Sequence, residues 1–322
     1  FSQLSGAKIA AYQDAWRRHL QPILESFRPQ IIHSHHVWLL SALLAELAPA
    51  TPVVTHCHAT GLRQMELCPH LADVVRSGCR KVDAFAVLHR QHADALEEAL
   101  GIDGSMIHQV GAGYRDDLFH ARGRSPGGDQ AILYVGKYSA AKGLPWLIDA
   151  FGRIAARRPR LRLEIVGGGA GDEAREIRDR LDGLGDRVVQ HGQLAQPQLA
   201  EVARSTSVCV LPSFYEGLPL VLVEALACGN RLVATALPGI CSELAPALGD
   251  ALTLVEPPRL HTVDRPESAD LPAFVDSLES AIERALDQPQ LDDPERTMPG
   301  ALRPFRWKAV FGRVEAIWRG LL

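Results

Sequence analysis

Three stretches in the second half of the chain combine residue types that a phosphorylated ligand would need. In Tyr134-Val135-Gly136-Lys137-Tyr138-Ser139-Ala140-Ala141-Lys142-Gly143, a strand-like run leads into a short loop with two lysines and then a helical pattern. Two ammonium groups beside a helix N-terminus suit a pyrophosphate. Two solvated surface lysines are the plain alternative. In Ile165-Val166-Gly167-Gly168-Gly169-Ala170-Gly171, glycines follow a second apolar run. They would let a ligand approach the backbone closely, or simply form a loose turn. The third stretch runs from Leu211 to Gly229 and holds Glu216 and Glu224. Pro219 marks a helix start there and Gly229 a stop. Glu224 sits in Leu-Val-Glu-Ala-Leu, so its carboxyl needs a partner. A ribose diol or a structural arginine would serve.

Such motifs carry weight where strands end, because open α/β sheets bind ligands beyond the carboxyl ends of their strands. Apolar runs at 131–135, 161–166, 187–191, 208–211, 231–235 and 251–255 read as strands. Helical patterns over 144–156, 171–184 and 220–227 separate them. Alternation at this spacing predicts a parallel sheet with right-handed crossovers. Earlier runs at 30–34, 52–57, 84–88 and 106–110 give a first domain of four strands. A doubly wound sheet has about six strands, so its opening strands are expected to be absent. A missing piece of roughly 60–100 residues would restore an ordinary domain size. The chain starts at Phe1 and not at Met, in keeping with that expectation. The Gly- and Pro-rich segment 123–129 is the expected linker, giving domains at 1–122 and 123–304. Segment 257–272 reads as a loop, 271–286 as a helix and 287–304 as a polar stretch. In 305–322, Trp307, Val310, Phe311, Val314, Ile317, Trp318 and Leu321 recur at helical period, so this helix must pack on something.

The 322 residues suffice for two domains. A net charge of −4 argues against a general nucleic-acid-binding surface. No run of 18 apolar residues occurs, so no transmembrane helix is expected, and no signal peptide is visible. The six cysteines form no C-x-x-C pair. They read as buried free thiols in a reducing compartment, which points to the cytoplasm.

The stretch E-G-L-P-L-V-L-V-E-A-L-A-C-G, followed by Val233-Ala234-Thr235 and Pro238-Gly239-Ile240, resembles the donor site of the family-4 retaining glycosyltransferases (glycosyl transferases group 1). The segment Gly136-Lys137 to Lys142-Gly143 resembles the same family's G-R-x-x-x-x-K-G loop. The resemblance implies the α/β GT-B fold, two Rossmann-like doubly wound domains facing a cleft. It implies that Lys137 and Lys142 bind the diphosphate, that Glu224 holds the ribose, and that Glu216 contacts the transferred sugar. Backbone at Leu218, Leu220 and Val221 would meet sugar and phosphate oxygens. The base would lie near Gly167–Gly169 and His191–Leu194. Two residues depart from the pattern. Lys137 replaces the usual arginine and loses its bidentate fork. Pro219 replaces the usual glycine and removes an amide donor. The connector Gly111-Ala112-Gly113-Tyr114-Arg115-Asp116 also departs from the family's N-G-V-D pattern, so those roles do not carry over. The helix at 305–322 resembles the family's crossing helix back to the first domain.

In the first domain, Pro52-Val53-Val54-Thr55-His56-Cys57-His58-Ala59-Thr60-Gly61 resembles the family's P-x-V-x-T-x-H segment. That register makes His58 the functional histidine, with His56 a fallback. His33, His35 and His36 raise the question of zinc. Along one strand they alternate faces and lack a carboxylate cluster, so no metal is expected there. His36, Thr60 and Arg63 are the candidate acceptor contacts, though Arg63 equally suits a surface ion pair.

The expected activity is transfer of a hexosyl group from a nucleotide-diphosphate sugar, with UDP-sugars favoured, to a hydroxyl acceptor such as a glycan, a lipid or a small molecule. Polysaccharide biosynthesis is the natural setting. Lys142, Glu216 and His58 are the expected catalytic residues. The resemblance implies retention of configuration; no cofactor is expected, and no metal is required, since no Asp-x-Asp lies near the donor motif. Alternatives are a non-catalytic nucleotide-sugar-binding protein or a GT-B epimerase. Peripheral membrane association is compatible with the sequence. Acceptor and oligomeric state stay open.

Overall fold

Apolar runs such as Ile132-Leu133-Tyr134 and Val208-Cys209-Val210-Leu211 carry apolar side chains on both faces, so their strands need cover on both sides. The structure, a computed structural model, describes residues 1, 4–58, 60–124 and 130–322. The expected linker residues 125–129, and Ala59 of the His58 segment, lie outside the described residues.

The chain divides into two units. Phe1–Ala112 together with Lys308–Leu322 form the first, and Gly113–Trp307 the second. The sequence reading puts the divisions at 122/123 and 304/305. Residues just after Ala112 hold to the second unit through backbone. The Tyr114 amide donates to the Phe305 carbonyl at 2.8 Å, and the Trp307 amide to the Tyr114 carbonyl at 3.4 Å. Arg204 Nη1 donates to the Leu118 carbonyl at 3.0 Å.

The first unit has a parallel sheet of β1 (Ile32–His35), β2 (Val53–Cys57), β3 (Ala84–Val87) and β4 (Ile107–Gln109), in the order β1-β2-β3-β4. One face packs against Leu39, Ala42, Leu71, Val75, Leu96 and Leu100 of the covering helices. On the other face, Val54, Ala84, Ala86 and Val110 meet Val314 and Ile317 of the carboxy-terminal helix Trp307–Leu321. The helix Gly6–Phe27 is not anticipated by the sequence reading. It buries only Ile9 and contains Pro22, so its pattern is weak.

The second unit has six parallel strands: β5 (Ala131–Lys137), β6 (Arg162–Gly168), β7 (Val188–Gly192), β8 (Val208–Leu211), β9 (Arg231–Thr235) and β10 (Leu252–Val255). Their order is β10-β9-β8-β5-β6-β7, the doubly wound order. Ile132, Tyr134, Leu163, Ile165, Val208 and Val210 join one core with Phe151 and Ile154 of the helix Leu144–Arg157 and Leu278 and Ile282 of the helix Leu271–Asp287. The alternate residues Leu133, Cys209, Leu211 and Leu232 are also buried, as the period of two requires. Segment 257–272, expected as a loop, instead carries a short hairpin of β11 (Leu260–Thr262) and β12 (Arg265–Pro266). A bidentate pair from Arg259 to Asp270, at 2.8 and 3.0 Å, closes its base.

Candidate functional site

Strand order reverses between β5 and β8, so the loops leaving their carboxyl ends diverge and leave a crevice, the place where such sheets take ligands. The β5 loop makes a tight turn over Ala140–Lys142 and then passes through Gly143 at φ 69°. A Cβ at Gly143 would run into the Pro212 carbonyl, so glycine alone lets this loop press on the one after β8. The Phe214 amide donates to the Ala141 carbonyl at 3.0 Å and ties the two loops together.

That tie brings two of the expected residues into contact. Lys142 Nζ lies 2.7 Å from Glu216 Oε1 and 3.3 Å from the Tyr215 carbonyl. Their side chains are 30% and 16% exposed, so Lys142 is not a solvated surface lysine. Lys137, at the end of β5, is exposed and makes no ion pair among the described residues.

Glu224 lies on the helix Leu220–Ala227, whose Leu222, Val223, Ala225, Leu226 and Ala227 are buried. The sequence left this carboxyl a choice between a ligand diol and a structural arginine. The structure supplies no arginine. Among the described residues the carboxyl has no hydrogen bond and no ion pair, and burial pushes its pKa up to about 7. Pro219 begins this helix without a side-chain cap. The amides of Leu220 and Val221 therefore stand in the first turn, where no intrahelical acceptor exists. Leu218 and Pro219 are buried just before it.

Gly167, at φ 126°, is packed so that a Cβ would meet the Gly136 carbonyl. It holds the ends of β5 and β6 close together. Gly169 is exposed in the loop after β6, and Leu194 is half-buried in the loop after β7. His191 is engaged by Glu164, Nε2 to Oε2 at 2.7 Å.

Two hydroxyls in this region received no role from the sequence. Ser213 Oγ and Thr235 Oγ1, at the carboxyl ends of β8 and β9, are buried without a hydrogen-bond partner among the described residues. Buried polar groups are seldom left unpaired, so each is a candidate ligand contact. Their position at the end of a strand's apolar run, and for Thr235 its place in the donor-site resemblance, are the signals the sequence held.

In the first unit, β1 and β2 pair with His35 opposite His56. His58 follows just beyond the end of β2. Its Nε2 lies 2.8 Å from His35 Nδ1, and its ring stacks on His56 at 4.3 Å. Burial, reinforced by neighbouring imidazoles, lowers His56 to about 3 and His58 to about 4. Both are neutral at ordinary pH. His36 adopts φ 69°, which is unusual for a residue with a Cβ and recurs at functional sites. Its amide donates to the His56 carbonyl at 2.8 Å, and its carbonyl accepts from Ser41 Oγ at 2.6 Å. Its Nδ1 lies 3.2 Å from Thr60 Oγ1, so two of the three expected acceptor residues meet. Arg63 is half-buried on the helix Thr60–Leu67.

Residues 129–260 match the family described as Glycosyl transferases group 1, and residues 3–113 match the Glycosyl transferase 4-like domain. The chain belongs to the group 1 glycosyl transferases. A mannosylfructose-phosphate synthase of Agrobacterium fabrum is 30% identical over 159 residues. The matched stretch spans 44% of this chain and only 35% of that relative's length. The fold is similar to sucrose-phosphate synthase of Thermosynechococcus elongatus, with TM-score 0.77 and 23% identity over 99% of this chain and 80% of that one. It is also similar to the E. coli trehalose-6-phosphate protein bound with UDP-2-fluoro glucose, with TM-score 0.70 and 15% identity over 98% and 77%. The fold class expected of a group 1 glycosyl transferase, two Rossmann-like parallel-sheet units, is the one observed. Lys142, Glu216 and Glu224 of this glycosyl transferase all lie within the matched 129–260.

Proposed function

We propose that the chain transfers a sugar from a nucleoside-diphosphate sugar to a hydroxyl acceptor, with retention of configuration and without a required metal ion. The observation that carries this reading is Glu224: a half-buried carboxyl with no hydrogen-bond or ion-pair partner among the described residues, on the helix that leaves the β8 loop. A ribose diol donates two hydrogen bonds to such a carboxylate and repays its desolvation.

In this reading Lys142 and the amides of Leu220 and Val221 take the charge that gathers on the diphosphate as the anomeric C–O bond breaks. Fixed cations and amides do so without reorganising. Lys137 adds charge from the rim. Glu216, held by Lys142 at 2.7 Å, is placed for the hydroxyls of the transferred sugar. The bonding pair leaves with the diphosphate. The acceptor oxygen adds to the same face and gives its proton to a departing phosphate oxygen. His58, as a neutral imidazole, can donate or accept a hydrogen bond without bringing a charge to the reacting carbon. Gly167, Gly169 and Leu194 would flank the base. A uridine base is favoured by the fold relative bound with UDP-2-fluoro glucose. Six free cysteines, five of them buried, support a reducing compartment, and we place the protein in the cytoplasm. No helix among the described residues is long and apolar enough to cross a membrane.

The test is a thermal-shift panel of UDP, GDP and ADP, followed by assay of nucleotide release from the matching sugars with and without EDTA. A ligand that binds only the folded state raises its melting temperature. UDP should give the largest shift, and turnover should survive EDTA. A panel with no shift would overturn the reading.

A further inference from the structure

The histidines of the first unit form a cluster that cannot be seen along a single strand. A metal reading confined to His33, His35 and His36 fails because only His33 and His35 share a face, while His36 lies beyond the end of β1 with its ring against Thr60. Parallel pairing brings a different set together. His35 stands opposite His56, and His58 is two residues further along the same strand end. One nitrogen from each of His35, His56 and His58 lies within 4.8 Å of the others.

We propose that His35, His56 and His58 form a binding site for one transition-metal dication of borderline softness, with Zn²⁺ as the reference ion. Imidazole suits Zn²⁺, Cu²⁺ and Ni²⁺, whereas Mg²⁺ and Ca²⁺ require oxygen ligands that this set lacks. Three histidines with an open fourth position are a known zinc arrangement. Two further observations point the same way. His56 is only 8% exposed, and its Nε2 has no partner among the described residues, so a buried lone pair or N–H is left unused. His35 is exposed and gives an ion a path to half-buried His58 and buried His56.

Zinc–nitrogen bonds of about 2.0–2.1 Å put tetrahedral nitrogens about 3.4 Å apart. The His35–His58 contact at 2.8 Å would open slightly, and the His56 ring would turn inward. A neighbouring ring steadies the set. His33 stacks on His35 at 5.2 Å and is itself held by Trp318 Nε1, which donates to its Nδ1 at 2.9 Å. The inference concerns the first unit and shares His58 with the proposed function, but its test reads metal binding and not transfer, so the two fail separately.

The test is calorimetric titration of the EDTA-treated, desalted chain with Zn²⁺, with Co²⁺ titration followed in visible absorption. One ion per chain and an intense tetrahedral Co²⁺ band are expected. His35→Gln and His56→Gln should each weaken Zn²⁺ binding by at least about 100-fold, since even outer-shell changes cost about 10–100-fold. His35 is exposed, so its variant should keep the native circular dichroism if His56→Gln does not. His261→Ala, on the exposed β11 strand of the second unit, should bind as the parent does. Absence of saturable Zn²⁺ binding, binding unchanged in His35→Gln, binding lost in His261→Ala, or Mg²⁺ bound equally well would each overturn the proposal.

Discussion

Glu224 and Lys142 set what single residues can be asked to show. Burial raises the Glu224 carboxyl from 4.5 to about 7. The folded protein therefore holds a proton between those values that the unfolded chain has released. The stability this gives is complete below pH about 4.5 and is lost as pH rises through 7. Glu224→Gln removes that loss. The variant should match the parent in urea unfolding at pH 4.5 and exceed it by up to about 3 kcal/mol at pH 8. It should also lose nucleotide affinity, because an amide offers one uncharged acceptor oxygen where a carboxylate offers two charged ones. A stability difference that does not change with pH would show that the carboxyl is not desolvated. Lys142→Met should reduce transfer by about 10²–10³-fold while circular dichroism stays native. Full activity would remove Lys142 from the chemistry. These two residues were legible in the sequence because their types are costly where they stand. Ser213 and Thr235 received no role, because their interest lies in having no partner, and only packing reveals that.

At the scale of elements, all ten strands of the two parallel sheets and the helix Leu220–Ala227 follow from apolar runs and their stops. The hairpin of β11 and β12 does not, because its residues are almost wholly exposed and show no alternation to read. Gly6–Phe27 escapes for a related reason, with one buried residue in six turns. The loop after β5 depends on a single conformational requirement. Gly143 combines a left-handed φ with a closed space over Pro212. Gly143→Ala should cost about 1–3 kcal/mol from the backbone alone, and more from the clash. It should also part Lys142 from Glu216 and lower transfer. Gly312 is the comparison. It lies inside the helix Trp307–Leu321, with open space where a Cβ would go. Gly312→Ala should stabilise by about 0.5–1 kcal/mol. Equal effects at the two positions in thermal unfolding would mean that the β5 loop is not held as described.

At the scale of the whole chain, the amphipathic period of 305–322 demands a partner that the sequence does not name. The structure names it: Val314 and Ile317 close the face formed by Val54, Ala84, Ala86 and Val110, so the last residues of the chain complete the core of its first unit. The proposed donor residues, from Lys137 to Glu224, all belong to Gly113–Trp307. This division of labour makes a separable prediction. Ile317→Asp would set a carboxylate, 7% exposed if the position keeps its burial, among the aliphatic side chains Val54, Ala84, Ala86 and Val314, with Arg313 lining the adjoining cavity one turn away. The desolvation should cost the first unit about 3–4 kcal/mol. Transfer should then fall in step with the lost structure. UDP binding, read by calorimetry on the same sample, should persist. If the affinity for UDP collapsed together with transfer, the donor site would have to draw on the first unit, and the assignment of nucleotide binding to the second unit would be wrong.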